Sequence, residues 1–322
     1  MDVIGLLMLL AAGLGVFAAA VIAFTLRTLT RPPRRTYSWA VARGVPGEPP
    51  EVRVPWGRVE YSSWSFASRG RNLPVWDIRG ARADGPTAVL THGWGDSRVI
   101  ALSRLPALLA CCARVVMWDL PGHGDAPGTC TLGTRECDDL VALLERLGPA
   151  EPVVLYGSSL GAGVSIVVAA RDAARLGVVG VIAEAPYRVP RLPAQRVLRM
   201  LGLPWRWNLP IVMALVGSRQ GYGVSWVASP AAGGFDRAVH AANVPVPLLV
   251  LHGTDDEVCP IEDGRAIAAA APAGRIVEVE GASHNNLWTD DRFIPVCAAA
   301  VAEFVAALKS AQKKAAGAAP AA

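Results

Sequence analysis

Gly157-Ser158-Ser159-Leu160-Gly161 lies between an apolar run, Val153 to Tyr156, and a helical pattern that begins at Leu160. A serine on a sharp strand-to-helix turn presents its hydroxyl as a nucleophile, and glycines on either side remove Cβ atoms that would collide with neighbouring chain. Ser159 is the expected nucleophile, with Ser158, one place earlier, as the alternative. The start of the helix also aims unpaired N–H groups at the charge that develops on an attacked carbonyl, so Leu160 N–H is expected to be one oxyanion donor. A second donor should come from the loop after an earlier strand, and Thr91-His92-Gly93-Trp94-Gly95 follows Thr87 to Leu90 in that position, which points to Trp94 N–H. The Trp94 indole either walls the pocket or packs.

A serine hydroxyl needs a base, and the base needs a partner that fixes its tautomer and stabilises the imidazolium. Two C-terminal loops supply these groups. Leu248 to Leu251 runs into His252-Gly253-Thr254-Asp255-Asp256-Glu257-Val258-Cys259-Pro260, and Ile276 to Val279 runs into Gly281-Ala282-Ser283-His284-Asn285-Asn286. His284 is the expected base, and the first loop offers Asp255 and Asp256 as acids. His92 and His123 follow strands in glycine-containing loops, where bonding to backbone is the simpler role; His240 is expected at the surface or an interface. The six cysteines contain no C-x-x-C pair and show no metal-ligand spacing with the five histidines, so no metal and no organic cofactor is expected, and the thiols are read as reduced.

Positioning these groups requires a sheet. Val52 to Pro55, Arg58 to Phe66 and Leu73 to Ile78 suit an antiparallel beginning. Thr87 to Leu90, Val115 to Trp118, Val153 to Tyr156, Val178 to Ala183, Leu248 to Leu251 and Ile276 to Val279 are compact apolar runs, as expected of parallel strands buried on both faces. Helical candidates alternate with them over Arg98 to Cys111, Thr134 to Leu147, Leu160 to Arg171, Glu262 to Ala271 and Ile294 to Lys309. The fold class is therefore α/β, with a mostly parallel sheet and helices on both faces. Residues 186–244 interrupt the rhythm with two apolar helical patterns, near Arg196 to Leu203 and Leu209 to Val216, and are too long for a bare connection. They form either a cap over the carboxyl edge of the sheet or an ordinary packed excursion, and Trp205, Trp207 and Trp226 line a pocket there or pack it.

No charged residue occurs from Val3 to Leu26, a run of roughly 36 Å as a helix, enough for a hydrocarbon core of about 30 Å. Residues 3–26 are expected to be a transmembrane anchor. Arg27, Arg31, Arg34 and Arg35 follow it, which places the domain after it in the cytoplasm. A cleaved signal peptide is the competing reading, but its basic leading segment is missing and the apolar run is too long. Residues 27–51, rich in proline, are expected to be a linker, residues 52–310 the catalytic domain, and residues 311–322 a disordered tail. The charge of +4 arises from scattered arginines rather than a basic block interleaved with aromatics, so nucleic acid is not an expected partner.

Taken together, His92-Gly93-Trp94-Gly95, Asp119-Leu120-Pro121-Gly122-His123-Gly124, Gly157-Ser158-Ser159-Leu160-Gly161, the His252 to Pro260 segment and Gly281-Ala282-Ser283-His284 resemble the α/β-hydrolase family, over roughly Arg58 to Leu308. The likeness is to its serine aminopeptidase-like and monoacylglycerol-lipase-like branch. The resemblance implies a serine hydrolase acting on a small-molecule ester, and it selects Asp256, two residues before Val258, as the acid. Glu184 is a further candidate, because some members place their acid after that strand. The anchor suggests a lipophilic acyl ester; thioesterase, amidase or peptidase activity and a non-catalytic scaffold are the other readings.

Overall fold

The computed structural model describes residues 2–149, 151–219 and 236–318. Eight strands form one sheet: β1 (Tyr61–Ser68), β2 (Arg71–Arg79), β3 (Thr87–Thr91), β4 (Arg114–Trp118), β5 (Val153–Ser158), β6 (Val178–Glu184), β7 (Leu248–Gly253) and β8 (Gly274–Val279). Their spatial order is β1-β2-β4-β3-β5-β6-β7-β8. Strands β1 and β2 pair antiparallel, and β2 is antiparallel to β4; every pair from β4 onward is parallel. Between β1 and β2 the two turn residues Arg69 and Gly70 both have positive φ, 47° and 72°, the geometry that matches a two-residue hairpin to strand twist.

Strands β3 to β7 are buried on both faces because alternate residues feed separate cores, whereas the edge strands β1 and β8 are largely exposed, which corrects the expectation that Ile276 to Val279 is buried on both faces. Val89, Val116, Leu155, Val181 and Val250 point to one side, and Leu90, Met117, Tyr156, Ile182 and Leu251 to the other. Helices α5 (Glu136–Leu147) and α6 (Leu160–Asp172) cover the first face; α3 (Arg98–Ala101), α4 (Leu105–Cys111) and the C-terminal α11 (Ile294–Ala318) cover the second. The chain steps from β3 to β4 on one side, then crosses β3 to reach β5. The strand order therefore reverses between β3 and β5, where open α/β sheets form a crevice at their carboxyl ends.

Several expectations need correction. Val52 to Pro55 forms only an isolated bridge, Val54 to Gly57, because Pro55 interrupts pairing. The long helix expected over Arg98 to Cys111 breaks into α3, a 3₁₀ turn at Leu102–Arg104 and α4, with Pro106 inside the first turn of α4. The linker expected over residues 27–51 is folded onto the domain: it contains α2 (Tyr37–Val41) and a 3₁₀ turn at Pro49–Glu51, and Ala40 is fully buried. Helix α11 continues to Ala318, so residues 311–318 are helical, while 319–322 lie outside the described residues.

Helix α1 (Val3–Thr30) is long and apolar enough to cross a membrane. Asp2 caps it by accepting a 2.8 Å bond from Gly5 N–H. Its first turns are exposed, but Thr25 and Leu29 are buried against the domain, and Ile22 and Leu26 pack on the core. Helix α11 is also long and apolar enough to cross a membrane, yet Cys297, Val301, Phe304, Val305 and Leu308 bury one of its faces against the sheet. The inserted segment provides α7 (Arg191–Met200), α8 (Trp205–Arg219) and α9 (Arg237–Ala241); Trp226 lies outside the described residues.

The β5–α6 turn leaves no room for a side chain on either flank, β3 crowding one and α6 the other. A Cβ on Gly161 would stand 2.0 Å from Thr91 O, and one on Gly157 would stand 2.2 Å from Gly161 O. Gly161→Ala is expected to lower unfolding free energy by about 1–3 kcal/mol or more, read as a lower urea midpoint at unchanged m-value.

Candidate active site

Ser159 occupies the turn between β5 and α6 with φ 50° and ψ −106°, a conformation rarely adopted by residues with a Cβ. Its N–H donates to Glu184 O at 2.8 Å, which fastens the turn to the end of β6. Leu160 N–H belongs to the first turn of α6 and has no partner within the helix. The His92–Gly95 loop lies directly against this turn: a Cβ on Gly93 would meet Ser159 Cβ at 3.4 Å. Both residues expected as oxyanion donors, Trp94 and Leu160, thus line the same pocket as Ser159 and His284.

The two C-terminal loops meet. His284 Nδ1 lies 2.7 Å from Asp256 Oδ2. The other carboxylate oxygen, Oδ1, accepts from Val258 N–H at 2.8 Å and Cys259 N–H at 2.7 Å, so the chain just beyond the aspartate holds it in place. Burial pushes the Asp256 carboxyl up, but bonds from His252 and His284 and the backbone N–H groups more than offset this and hold it well below the usual carboxylate range. Burial also opposes charging of His284, but the ionised Asp256 bonded to its Nδ1 outweighs this and raises its pKa from the ordinary histidine value. Desolvation keeps the neighbouring Cys259 thiol protonated, so the Asp256 carboxylate is the partner that raises it.

The alternatives occupy other environments. Asp255 is exposed and accepts from Thr254 Oγ1 at 3.2 Å. Glu184 is fully buried, paired with Arg104 through two hydrogen bonds, and accepts from Tyr156 OH at 2.6 Å. Burial pushes its pKa up and Arg104 pulls it below the ordinary value, so this carboxylate is committed to a buried ion pair. Ser158 Oγ sits 3.4 Å from Glu184 Oε1. His92 Nδ1 is 2.8 Å from Gly93 O, and its Nε2 accepts from Leu120 N–H at 3.0 Å; desolvation keeps the ring neutral. His123 Nδ1 bonds Pro121 O at 3.1 Å, and burial draws its pKa down to about 4. Asp119 accepts from Arg98 N–H and Asp125 N–H, which pins the loop after β4. His240 is half-buried.

Some neighbours carried no signal in the sequence. His252 Nε2 lies 3.0 Å from Cys259 O and 3.3 Å from Asp256 Oδ2, a second imidazole that braces the carboxylate. The ligand atoms of Asp256, Cys259 and His284 lie within 4.8 Å of one another. Asp256 already accepts from two backbone N–H groups and from His284, an arrangement suited to orienting an imidazole. Arg35 and Asp96, joined at 2.6 Å, stand at the pocket edge, and Ser97 Oγ donates to Arg35 O. Leu29, Tyr187 and Val197 give the pocket, of about 250 Å³, an apolar wall. Chemically, the pocket holds a hydroxyl on a strained turn, an imidazole oriented by a carboxylate, N–H groups at a helix start and room for an apolar group.

Comparison with known proteins places the fold in a family. A model of the "Alpha/beta hydrolase family" matches residues 88–300. The chain is 27% identical over 229 residues to the pimeloyl-[acyl-carrier protein] methyl ester esterase of Chromobacterium violaceum, a match that covers 62% of this chain and 87% of that one. Among solved structures, an esterase of Pyrococcus furiosus superposes with a TM-score of 0.62 at 18% identity, covering 87% of this chain and 99% of the other. The mouse alpha/beta hydrolase domain-containing protein 10 superposes at 0.57, also with 18% identity, over 77% of this chain and 99% of its own.

The raised His284 pKa is measurable without substrate. Its imidazole is expected to titrate above about 6.5 by NMR, and Asp256→Asn should bring that midpoint down, because the charge that favours the imidazolium is gone.

Proposed function

The chain belongs to the alpha/beta hydrolase family, and on that premise we propose that it is a membrane-anchored serine esterase cleaving a lipophilic carboxylic ester. The observation that carries the reading is the 2.7 Å bond between His284 Nδ1 and Asp256 Oδ2 beside a pocket that Ser159 also lines. In this mechanism His284 Nε2 takes the Ser159 proton as Oγ attacks the ester carbonyl. Trp94 and Leu160 N–H groups receive the oxyanion, and the imidazolium returns its proton to the departing alkoxide. Water, deprotonated by His284, then attacks the acyl-enzyme, releases the acid and restores Ser159. Asp256 stays ionised throughout and keeps His284 in the tautomer that leaves Nε2 free to accept. Ser158, turned toward Glu184, takes no part in proton transfer.

The apolar pocket wall supports an acyl substrate, and the relative named as a methyl ester esterase supports ester over amide cleavage. The α1 run supports anchoring, and the packing of Thr25 and Leu29 on the domain supports retention of the helix over its removal as a signal.

A fluorophosphonate probe is expected to label wild type, to keep labelling Ser158→Ala and to fail on folded Ser159→Ala and His284→Ala. Survival of labelling in Ser159→Ala would remove the proposed nucleophile, and no labelling of folded wild type would favour a non-catalytic scaffold. Rates on matched ester, thioester and amide substrates then separate the three chemistries. In sealed inverted vesicles the domain is expected to be digested by external protease, the outcome for a cytoplasmic domain; protection would reverse that placement.

A further inference from the structure

Helix α8 is apolar on both of its faces. Asn208, Leu209, Val212, Met213 and Val216 are buried, while Trp207, Ile211 and Leu215, spaced four residues apart, remain 41%, 42% and 40% exposed. A cap helix that only packs on a soluble domain turns charged or polar residues to water; a helix apolar all round is buried in protein or lipid. Among the described residues this exposed stripe has no partner, and its position relative to α1 indicates what covers it. Asn208 Nδ2 donates to Thr25 Oγ1 inside a buried contact between the two helices, and Val216 lies with Ala23 and Leu26 around a second cavity. Thr25 and Leu26 are the last residues of the uncharged run. Helix α8 is therefore fixed level with the end of that run.

We infer that the Trp207–Ile211–Leu215 face of α8, together with Met200 and Leu201, is a second membrane contact that sets the pocket mouth on an anionic bilayer and admits ester substrate from it. The inference rests on the anchored-esterase reading above and adds the route by which substrate arrives. Met200 links the two surfaces, since it lines the pocket and is 70% exposed. Leu29, on the helix that carries the membrane run, is part of the same pocket wall. Exposed Arg27, Arg31, Arg199 and Arg206 flank the apolar stripe, the charge arrangement that favours an anionic leaflet.

The test uses full-length protein in vesicles of phosphatidylcholine and phosphatidylglycerol, with a doxyl group on the acyl chain of some of the phosphatidylcholine. All six native cysteines are buried, so a fluorescent NBD label can be directed to one introduced cysteine at a time. Label on Ile211→Cys and on Leu215→Cys is expected to shift blue and be quenched by doxyl lipid, as is label on Leu10→Cys within α1. Label on Glu145→Cys, at the exposed far face of α5, should be unaffected. Quenching at 10 without quenching at 211 and 215 would overturn the inference while leaving the anchor intact. Burial of 211 against a second copy, seen as concentration-dependent energy transfer between labels without quenching, would also overturn it. No quenching at position 10 would remove the anchor on which it rests.

A kinetic arm addresses substrate entry separately. Ile211→Asp combined with Leu215→Asp is expected to leave hydrolysis of a short soluble nitrophenyl ester unchanged and to cut hydrolysis of a vesicle-embedded long-chain ester by about tenfold or more. Equal loss on both substrates would overturn the entry route. Failure of wild type on every ester would instead strike the esterase reading, while the quenching result would still decide the membrane contact.

Discussion

Holding Ser159 at φ 50° places its hydroxyl beyond the end of β5, at the edge of the sheet, and the rest of the site is arranged to keep it there. A side chain at Gly157 or Gly161 would strike backbone, so the two flanks of the turn must be bare for β3, β5 and α6 to close on one another. The Ser159 N–H bond to Glu184 O ties the same turn to β6. The strained residue is thereby held by strands on both sides, the condition under which a backbone conformation costing about 1–3 kcal/mol persists in a folded protein. The strand-order reversal between β3 and β5 opens a crevice at the same place, so the topology and the strain serve one position.

Two buried carboxylates within reach of this turn are given different duties by their surroundings. Glu184 is enclosed by Arg104, Tyr156 and Ser158, and its charge is neutralised by a guanidinium that is buried with it. Such a pair tolerates no loss of one partner, since the remaining charge would be stranded in the interior. Among the described residues Asp256 has no guanidinium partner; its bonds come from backbone N–H groups and two imidazoles. A carboxylate stabilised in this way keeps its charge available to a histidine whose own charge changes. The separation follows from partners, because both residues are acids at the carboxyl ends of neighbouring strands.

Much of this arrangement was legible in the sequence. Five of the parallel strands, β3 to β7, announce themselves as short apolar runs because both of their faces are covered, while β8 is a largely exposed edge that carries Glu278, and the serine turn is marked by glycines that sterics demand. The segment before β1 was not legible. Prolines at 32, 33, 46, 49 and 50 argue against long helix, and that argument holds, but it does not distinguish a free linker from one tied down by contacts distant in sequence. Arg34 reaches Gly124 O, and Arg35 reaches Asp96, pairings that local pattern does not encode. His252 is similar: it follows a strand as an unremarked residue of a loop, and only folding brings its Nε2 to the acid four positions later.

The same long-range contacts change what α1 contributes. Periodicity and charge identify a membrane-length run, which by itself describes a tether indifferent to the domain it carries. The Trp94 indole donates to Leu29 O at 2.9 Å, and Cys130 N–H donates to Thr30 O at 2.9 Å, so the last turn of α1 is fastened to two loops of the site. Trp94 is thus both a wall of the pocket and a clasp on the helix, and the two roles weighed for its indole are compatible. Because the carbonyls at the end of a helix lack partners within it, the domain supplies two of them, and the helix end gains a fixed position in return. A change in the tilt of α1 would be transmitted to the Trp94 loop that lies against Ser159. Helix α1 and the turn that holds Ser159 are consequently parts of one packed unit.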